Sequence, residues 1–403
     1  MPALKDFCSH SGTLAPHYLA VFVAVLGFSL VAPVFPYYAM NLGASYTLLG
    51  FIVSVYGAVQ LITQVPIGRL SDRMGRKKIL LCGLATFSFL PIFYVYARSA
   101  TELLFIRALG GMGASAVWPI AMALIIDQAK PENRGAAMGH YNAAFFSALA
   151  FGPLIGGFLY DHFGINAPFY LWAILGVASF LVVYFRVREP ERMSITVGTL
   201  PSPGKDRLIK PGYAITFLAC SSVVLWAGVV GGFNFTMLPS LAAGLGFNAT
   251  YVGIIYLVYG ASTALFNIYF GRQADKGAKK KLIFAGCLLG ACSFAALPLA
   301  EAMMAVTILF AGLGMGLGMA NPAAAALIAD TTSPSRRGEV YGIFNTARMS
   351  GVVIGPLIAG LTADLHGVEG SVRAFTLLAV AITLLTLFVR ESGDAKENKN
   401  DAR

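Results

Sequence analysis

Two short loops hold the residues whose types and spacing suggest electrostatic chemistry. Gly68–Lys78 reads GRLSDRMGRKK and Gly271–Lys281 reads GRQADKGAKKK, so each loop sets one acid, Asp72 or Asp275, among several cations. A carboxylate beside a helix N-terminus is stabilising by about 0.3–1 kcal/mol, and by up to about 2 kcal/mol where it is partly buried. Cations at helix ends are held by anionic lipid headgroups. The loops therefore predict the fastening of helix ends rather than covalent catalysis.

The two loops are copies of each other, 203 positions apart, and the same offset relates much of the chain. A register without gaps over about 130 residues indicates duplication of a large unit. The matched positions are Pro36 with Pro239, Leu42-Gly43 with Leu245-Gly246, Tyr56-Gly57 with Tyr259-Gly260, Gly111-Met112-Gly113 with Gly314-Met315-Gly316, Pro119 with Pro322, Asp127 with Asp330, Asn142 with Asn345, Gly152-Pro153 with Gly355-Pro356, and Asp161 with Asp364.

The composition places these copies in a membrane. The chain of 403 residues is 57% hydrophobic and only 12% charged, and its mean hydropathy is +0.72. Its apolar residues form runs of about 20, the length that a helix needs to cross the hydrocarbon core. We predict an all-α polytopic protein with twelve transmembrane helices, arranged as two pseudo-symmetric six-helix bundles. The predicted spans are roughly 18–40, 46–67, 79–98, 101–126, 136–160, 166–187, 212–242, 249–270, 282–300, 302–328, 339–363 and 372–390.

The distribution of the 29 Lys and Arg residues predicts the orientation. All but Arg98, Arg107, Arg348 and Arg373 fall in the tails or in the loops that follow even-numbered spans. By the positive-inside rule, both termini are cytoplasmic. This placement also argues against binding of nucleic acid. The expected domains are a first half at 1–187, a cytoplasmic linker at 188–211, a second half at 212–390 and a cytoplasmic tail at 391–403.

Arg107 and Arg348 are the two cations predicted to lie within spans. A charge inside the membrane is costly unless it is paired or faces water, so each is a candidate functional residue. Arg348 falls near the midplane, where it can attract an anionic group of a solute, pair with an internal carboxylate or be satisfied by helix carbonyls. None of the 19 acids falls at the middle of a span. No metal-ligand cluster, nucleotide-binding loop or nucleophile–base pair is visible, which argues against an enzyme and against a cofactor.

Several motifs resemble those of the major facilitator superfamily over nearly the whole chain. The loop Gly68–Lys78 is similar to the signature between spans 2 and 3 of that superfamily, and Arg107-Ala-Leu-Gly110-Gly111 is similar to its span 4 motif. Ala148-x-x-x-Gly152-Pro153-x-x-Gly156-Gly157 resembles the span 5 motif of its antiporters. Leu26-Gly27 with Pro33-Val34-x-Pro36 resembles span 1 of the twelve-span drug:proton antiporters.

The resemblance implies a conformational switch, a cavity and a seal. Asp72 is expected at the N-terminus of span 11, and Asp127 is expected to pair with Arg73 or Arg76. By the repeat, Asp330 pairs with Lys276 or Lys279, and Asp275 faces span 5.

Arg107 is expected in proton handling or packing. Gly152, Pro153, Gly156, Gly157, Gly355 and Pro356 are expected to bend spans 5 and 11 and to allow close helix approach, with Gly68 and Gly75 permitting the tight turn of the signature loop. The expected cavity residues are Phe28, Gln60, Gln64, Trp118, Tyr141, Asn142, Phe145, Phe233, Asn234, Tyr256, Asn267, Asn321, Asn345 and Arg348.

We therefore expect a secondary active transporter of the prokaryotic inner membrane, and not an enzyme. It would move a small amphipathic organic solute, a drug-like compound or a metabolite, by alternating access, with export in exchange for protons. The alternative is a facilitator or uptake carrier for an organic anion that uses Arg348. Span 1 lacks the carboxylate usual in such antiporters, so the protons would be handled by carboxylates at the outer helix ends or by a network around Arg107, unless the chain is a facilitator. The expected partners are the solute, protons if coupled, and the lipid bilayer, with the chain acting as a monomer, without nucleic acid, metal or cofactor.

Overall fold

A computed structural model describes residues 2–189, 208–333 and 336–391 of the chain. Within these ranges the backbone is helical apart from turns, short connections and one isolated β-bridge between Ile209 and Thr332. The predicted all-α class is confirmed. Most of the predicted linker at 188–211 and nearly all of the predicted tail at 391–403 lie outside the described residues.

The helices follow the apolar runs of the sequence closely. They are α1 (Pro2–Ser29), α2 (Phe35–Asn41), α3 (Tyr46–Met74), α4 (Arg76–Tyr96), α5 (Ala100–Gln128), α6 (Arg134–Phe163), α7 (Ala167–Arg186), α8 (Ala214–Gly244), α9 (Ala249–Asp275), α10 (Lys279–Ala296), α11 (Met303–Thr331) and α12 (Arg337–Thr386). Two short 3₁₀ helices, Pro131–Asn133 and Leu297–Leu299, precede α6 and follow α10.

The first predicted span is broken in the structure. Its helix ends at Ser29, and turns carry the chain to Phe35, where α2 begins. Pro33 lies in the break, and Pro36 falls in the first turn of α2. Proline lacks the amide hydrogen of a continuing helix but fits the first turn of a new one. The positions of the two prolines therefore account for the break.

The last two predicted spans are joined in α12, which is interrupted at Gly367. This glycine has φ 74° and ψ 175°, which is outside the helical region. Gly164, its equivalent in the repeat, ends α6 with φ 86°. A positive φ is readily adopted by glycine because it has no Cβ. Both copies thus use the same glycine to end the same helix.

Among the described residues, ten helices are long and apolar enough to cross a membrane, and Leu14–Ser29 is a shorter apolar helix. One of the ten is the α12 segment Glu339–Thr386, which contains two predicted spans. Each of the twelve predicted spans thus coincides with helix, although the first is broken by turns between Ser29 and Phe35. With no water in the hydrocarbon core, a helix is the way for each segment to satisfy its own backbone.

The chain divides into two compact units. The first contains Met1–Met193 and Leu238–Leu257, and the second contains Ser194–Met237 and Val258–Arg403. This division differs from the predicted halves because the end of α8 and the start of α9 belong with the first unit. The division of the chain at 188–211 remains a prediction.

Helices in the first unit meet at glycines. In this unit α3 packs on α5, α4 packs on α5 and α7, and α1 packs on α6 and α7. A Cβ atom at Gly111 of α5 would overlap the carbonyl oxygen of Tyr56 on α3, and one at Gly113 would lie 3.0 Å from the Thr86 side chain on α4. Small residues that let backbones touch are the usual means of packing helices in lipid.

The second unit repeats this contact at the equivalent residues. A Cβ atom at Gly314 of α11 would overlap the carbonyl oxygen of Tyr259 on α9, as Gly111 does with Tyr56. Likewise, one at Gly355 of α12 would lie 2.5 Å from the Val229 carbonyl oxygen on α8. The duplication in the sequence is therefore a duplication of helix contacts.

We predict that Gly111→Ala lowers the melting temperature of the detergent-purified protein, because α3 and α5 must separate to admit the methyl group. Overpacking of this kind costs about 1–3 kcal/mol. The matched control is Gly139→Ala on α6, where an added Cβ meets no atom within 4 Å. That change removes a helical glycine without a clash, so its melting temperature should match or exceed that of the wild type. Equal melting temperatures for both variants would contradict the packing argument.

Candidate functional site

A cluster of aromatic rings lies on four helices of the first unit. Phe28 of α1 stacks on Tyr56 of α3 with ring centroids 5.1 Å apart, and it meets Trp118 of α5 edge-on at 6.5 Å. Trp118 contacts Phe145 of α6 at 5.8 Å, and Phe145 stacks on Tyr141 at 6.1 Å. Phe28, Trp118 and Phe145 are half-buried, so their rings offer accessible apolar surface.

Amide side chains stand close to this aromatic cluster along the chain. Gln60 and Gln64 follow Tyr56 on α3 by one and two helical turns, and both are half-buried. Asn142, next to Tyr141 on α6, is exposed. The backbone of Gln60 is held in place because the Ser115 hydroxyl of α5 donates to its carbonyl oxygen at 3.0 Å. Rings with a few convergent amides are typical of a site for an organic molecule.

The remaining expected cavity residues lie on α8, α9, α11 and α12. Tyr256 and Asn321 are half-buried, whereas Asn267, Asn345 and Arg348 are exposed. Phe233 is fully buried, and its ring contacts Phe294 at 5.2 Å and Phe375 at 4.6 Å. The ring of Phe233 therefore packs in the core of the second unit in this structure, and its place in a cavity stays a prediction. Asn234 is also buried, with 2% of its surface exposed.

Arg348 stands on an exposed polar stripe of α12. Tyr341, Asn345 and Arg348 are exposed and lie at a helical spacing that puts them on one face. The guanidinium of Arg348 donates to the side-chain oxygen of Asn345 at 3.5 Å, which is a long hydrogen bond. No carboxylate of the described residues forms an ion pair with Arg348. Its charge is thus left available to a further group.

Arg107 is enclosed by aromatic rings. Only 2% of its surface is exposed, and its guanidinium carbon lies 3.8 Å from the ring centroid of Phe35, the first residue of α2. The rings of Tyr56 and Tyr94 lie 5.7 and 5.9 Å away. A guanidinium stacks on ring faces more effectively than an ammonium does. The geometry favours packing, since Arg107 ties α2 to α3, α4 and α5.

The glycine motif of α6 packs on two different helices. A Cβ atom at Gly152 would overlap the Ser29 hydroxyl oxygen, and one at Gly156 would overlap the Leu30 carbonyl oxygen, at the break in the first span. At Gly157 it would overlap the Ala249 carbonyl oxygen of α9. In the second unit, a Cβ atom at Gly232 of α8 would lie 2.4 Å from the ring of Pro356. These residues allow close approach of backbones, as the motif predicts.

The signature loop is a sharp break between two helices. In it, α3 ends at Met74, Gly75 follows with φ 109°, and α4 begins at Arg76. The Arg76 guanidinium pairs with Asp127 of α5 at 2.7 Å and reaches Asp72 at 3.5 Å. The Asp72 side chain is 63% exposed. Arg76 therefore holds the end of α5 to the start of α4, while Asp72 remains accessible at the surface.

Glu189 completes this site, and sequence reasoning missed it. Its carboxylate accepts hydrogen bonds from the backbone amides of Arg76 at 2.7 Å and Lys77 at 2.9 Å. These are the first amides of α4, which have no partner within the helix. A Cβ atom at Gly75 would lie 3.2 Å from the Glu189 carboxyl group, so the glycine also makes room for the acid. The sequence assigns Glu189 to the polar linker, and its partners Arg76 and Lys77 lie more than 100 residues away in the chain.

The second copy of the loop is similar but less complete. Lys279 pairs with Asp330, and the Glu391 carboxylate accepts from the Lys280 amide at 2.6 Å. Ala278 stands where the first copy has Gly75, with φ 60°. Asp275 is exposed at the end of α9. The ion pairs thus follow the pairing implied by the resemblance.

We predict that Glu189→Gln frays the start of α4, because an amide is a weaker acceptor for helix-end amides than a carboxylate is. Loss of a helix cap typically costs about 1 kcal/mol. Hydrogen exchange of a peptide that contains Arg76 and Lys77 should become faster, while exchange in α10 stays unchanged. The matched control is Glu132→Gln, an exposed acid in the 3₁₀ helix before α6. Equal exchange in both variants would refute the cap.

Comparison with known proteins agrees with these features. The sequence profile of the Major Facilitator Superfamily matches residues 18–238 and 219–403. Multidrug resistance protein 2 of Bacillus subtilis (strain 168) is 26% identical over 392 residues, which cover 95% of this chain and 94% of that protein. Quinolone resistance protein NorA of Staphylococcus aureus (strain MRSA252) is 27% identical over 371 residues, which cover 91% of this chain and 92% of that protein.

A solved structure supports the fold. The bacterial homologue of the human lysosomal transporter Spinster superposes with a TM-score of 0.78 at 16% identity, over 94% of this chain and 96% of that chain. At this identity the likeness concerns the fold alone. The resemblance to the drug:proton antiporter group that the motifs indicated is confirmed by the profile and by the two bacterial relatives. The chain belongs to the major facilitator superfamily, and it is a membrane transporter rather than an enzyme.

Proposed function

We propose that this protein is a secondary active transporter that exports a small amphipathic organic solute, a drug-like compound or a metabolite, in exchange for protons. The observation that carries the proposal is the half-buried aromatic cluster of Phe28, Tyr56, Trp118 and Phe145 with Gln60 one turn away. Rings bind the apolar part of such a solute, and amides bind its polar part. The names of the two bacterial relatives support drug-like solutes.

Alternating access accounts for the duplication. Parallel repeats of six spans are how many carriers place one binding site between two moving halves. With 25 of the 29 cations in one set of loops and tails, the positive-inside rule puts both termini in the cytoplasm. The protein would then act as a monomer in the inner membrane. The ends of α3 and α5 that carry Asp72 and Asp127 would face the cytoplasm.

Proton coupling needs a carboxylate that changes its surroundings during the cycle. The described carboxylates lie at helix ends or in connections, as Asp72, Asp127 and Asp161 do. Arg107 is surrounded by rings, so its geometry supports packing more than proton transfer. In this proposal the protons are handled at helix ends, where a carboxylate is exposed in one state and buried in another.

Arg348 favours a second candidate, a carrier for an organic anion. Its guanidinium is exposed on the polar stripe of α12, and its contact with Asn345 is long. A cation in a membrane span is costly unless it serves a partner. An anionic solute would supply that partner. In this case the solute could move by facilitated passage or uptake, without a proton gradient.

The test is transport in proteoliposomes, with an amphipathic cationic dye and an anionic dye as probes. Proton-driven flux of the cationic dye, reduced several-fold by Phe145→Ala, is the expected result. The matched control is Phe146→Ala, because this neighbour is 59% exposed and meets the cluster only through an edge-on contact with Phe145 at 5.5 Å. Flux of the anionic dye that ignores the gradient and is abolished by Arg348→Ala would instead establish the anion carrier. Equal effects of the two phenylalanine variants would contradict the binding role of the cluster.

We further predict that Asp72→Asn shifts the carrier toward inward-open states, because Asp72 is proposed to hold the N-terminus of α12 when the cytoplasmic side is closed. Such a contact is worth up to about 2 kcal/mol, and about 1.4 kcal/mol changes a population tenfold. Labelling of single engineered cysteines on the cytoplasmic side should become faster. Asp275→Asn, in the less complete copy, should have a smaller effect. Unchanged labelling in Asp72→Asn would rule the latch out.

A further inference from the structure

We propose that Asp161 is a positioning residue that holds the outer end of α9 against α6, and so keeps the outer side of the carrier closed. The proposal rests on the alternating-access function above. Asp161 lies in the last turn of α6, at the end remote from the basic loops. It is one of the acids that the motifs leave without a role.

Three hydrogen bonds join Asp161 to the first two residues of α9. One carboxylate oxygen accepts from the Ala249 amide at 3.2 Å. The other accepts from the Thr250 amide at 2.8 Å and from the Thr250 hydroxyl at 2.5 Å. We call this set of contacts the α6–α9 clasp. Hydrogen bonds to an ionised carboxylate are roughly twice as strong as neutral ones, and the helix N-terminus adds a favourable field.

The clasp is additional to what α9 needs for its own stability. Asn248 precedes α9, and its side-chain oxygen accepts from the Tyr251 amide at 2.9 Å, which is a standard N-cap. The helix would therefore keep its start without Asp161, and the freed amides of Ala249 and Thr250 would be hydrated. Loss of the carboxylate should thus release α9 from α6 without unwinding it.

The rest of the contact between α6 and α9 is formed by backbone atoms at glycines. A Cβ atom at Gly157 of α6 would overlap the Ala249 carbonyl oxygen, and one at Gly253 of α9 would lie 2.5 Å from the Pro153 carbonyl oxygen. Helix faces that touch at glycines bury surface area, but few side chains interdigitate there. The clasp is therefore the directional part of the contact, and it sets which residues of α9 lie against α6.

The position of α9 in the chain makes this contact relevant to transport. Its residues up to Leu257 belong with the first compact unit, and those from Val258 belong with the second. A conformational change that moves the outer end of α9 away from α6 must break all three hydrogen bonds of the clasp. When the outer side opens, Asp161 would exchange these donors for water.

The surroundings of the clasp contain few competing charges. Tyr37 of α2 is near enough to interact with Asp161, and its hydroxyl donates to the Pro239 carbonyl oxygen at 2.7 Å. Tyr160 stacks on Tyr37 at 6.0 Å, and His162 stacks on Phe158. Within the described part of the chain, no Lys, Arg or His forms an ion pair with Asp161. The start of α9 is thus its main electrostatic partner.

The test is hydrogen exchange of the full-length protein in lipid nanodiscs, without substrate. In Asp161→Asn, a peptide that spans Phe247–Leu257 should exchange roughly tenfold faster, with α4 and α10 unchanged and the melting temperature close to that of the wild type. Thr250→Val should give a smaller change, since it removes one of the three donors, and Thr250→Ser should behave as the wild type. The matched control is Glu369→Gln, which removes an exposed acid of α12 that pairs with Arg373.

Two results would overturn the proposal. One is equal exchange of Phe247–Leu257 in Asp161→Asn and Glu369→Gln. The other is faster exchange throughout the protein with a lowered melting temperature, which would mean that Asp161 only stabilises the fold. Cysteine labelling shows the direction of the conformational shift. Asp161→Asn should favour the outward-open state, and Asp72→Asn should favour the inward-open state. These readouts need no solute, so a failed dye assay would count against the proposed function without affecting the clasp.

Discussion

The absence of water from the bilayer core is the constraint on which the rest of this structure depends. Each span must satisfy its own backbone, and apolar side chains gain little by leaving lipid for a protein interior. Helices are therefore held together by close contact, which requires small residues at the crossing points. Gly111 against Tyr56 and Gly314 against Tyr259 are two copies of one such crossing. The duplicated sequence preserved these contacts because any side chain would force the helices apart.

The same constraint explains how the charges are arranged. Arg107 is retained inside the first unit because three aromatic faces surround it. Carboxylates are kept at helix ends, where they meet amides that a helix leaves unpaired. Glu189 at the start of α4 and Asp161 at the start of α9 are two instances, each linking helices distant in sequence. Such contacts are strong enough to hold a helix end, yet they exchange readily with water when the end moves.

Much of this architecture could be predicted from the sequence, because apolar runs of about 20 residues leave little choice of structure. The twelve spans and the repeat belong to this class, whereas the break near Pro33 interrupts a span that was predicted as continuous. Contacts between distant residues were not predictable in the same way. Glu189 follows the sixth span among linker residues, and nothing nearby indicates that its partners are Arg76 and Lys77. The buried ring of Phe233 is a related case, since spacing does not tell a ring in the core from a ring in a cavity.

The differences between the two halves carry more information about function than their likeness does. Where the first half has Arg107 in its aromatic enclosure, the second has Phe310, which is buried. Where the first has Phe145 in the aromatic cluster, the second has the exposed Arg348. Both halves share the same helix crossings at glycines, which we call the frame. The frame tolerates either side chain at these positions, because the side chains do not lie at the crossings themselves. The frame thus fixes how the helices can meet, and the exchanged side chains are free to give one half a ring surface and the other half a charge.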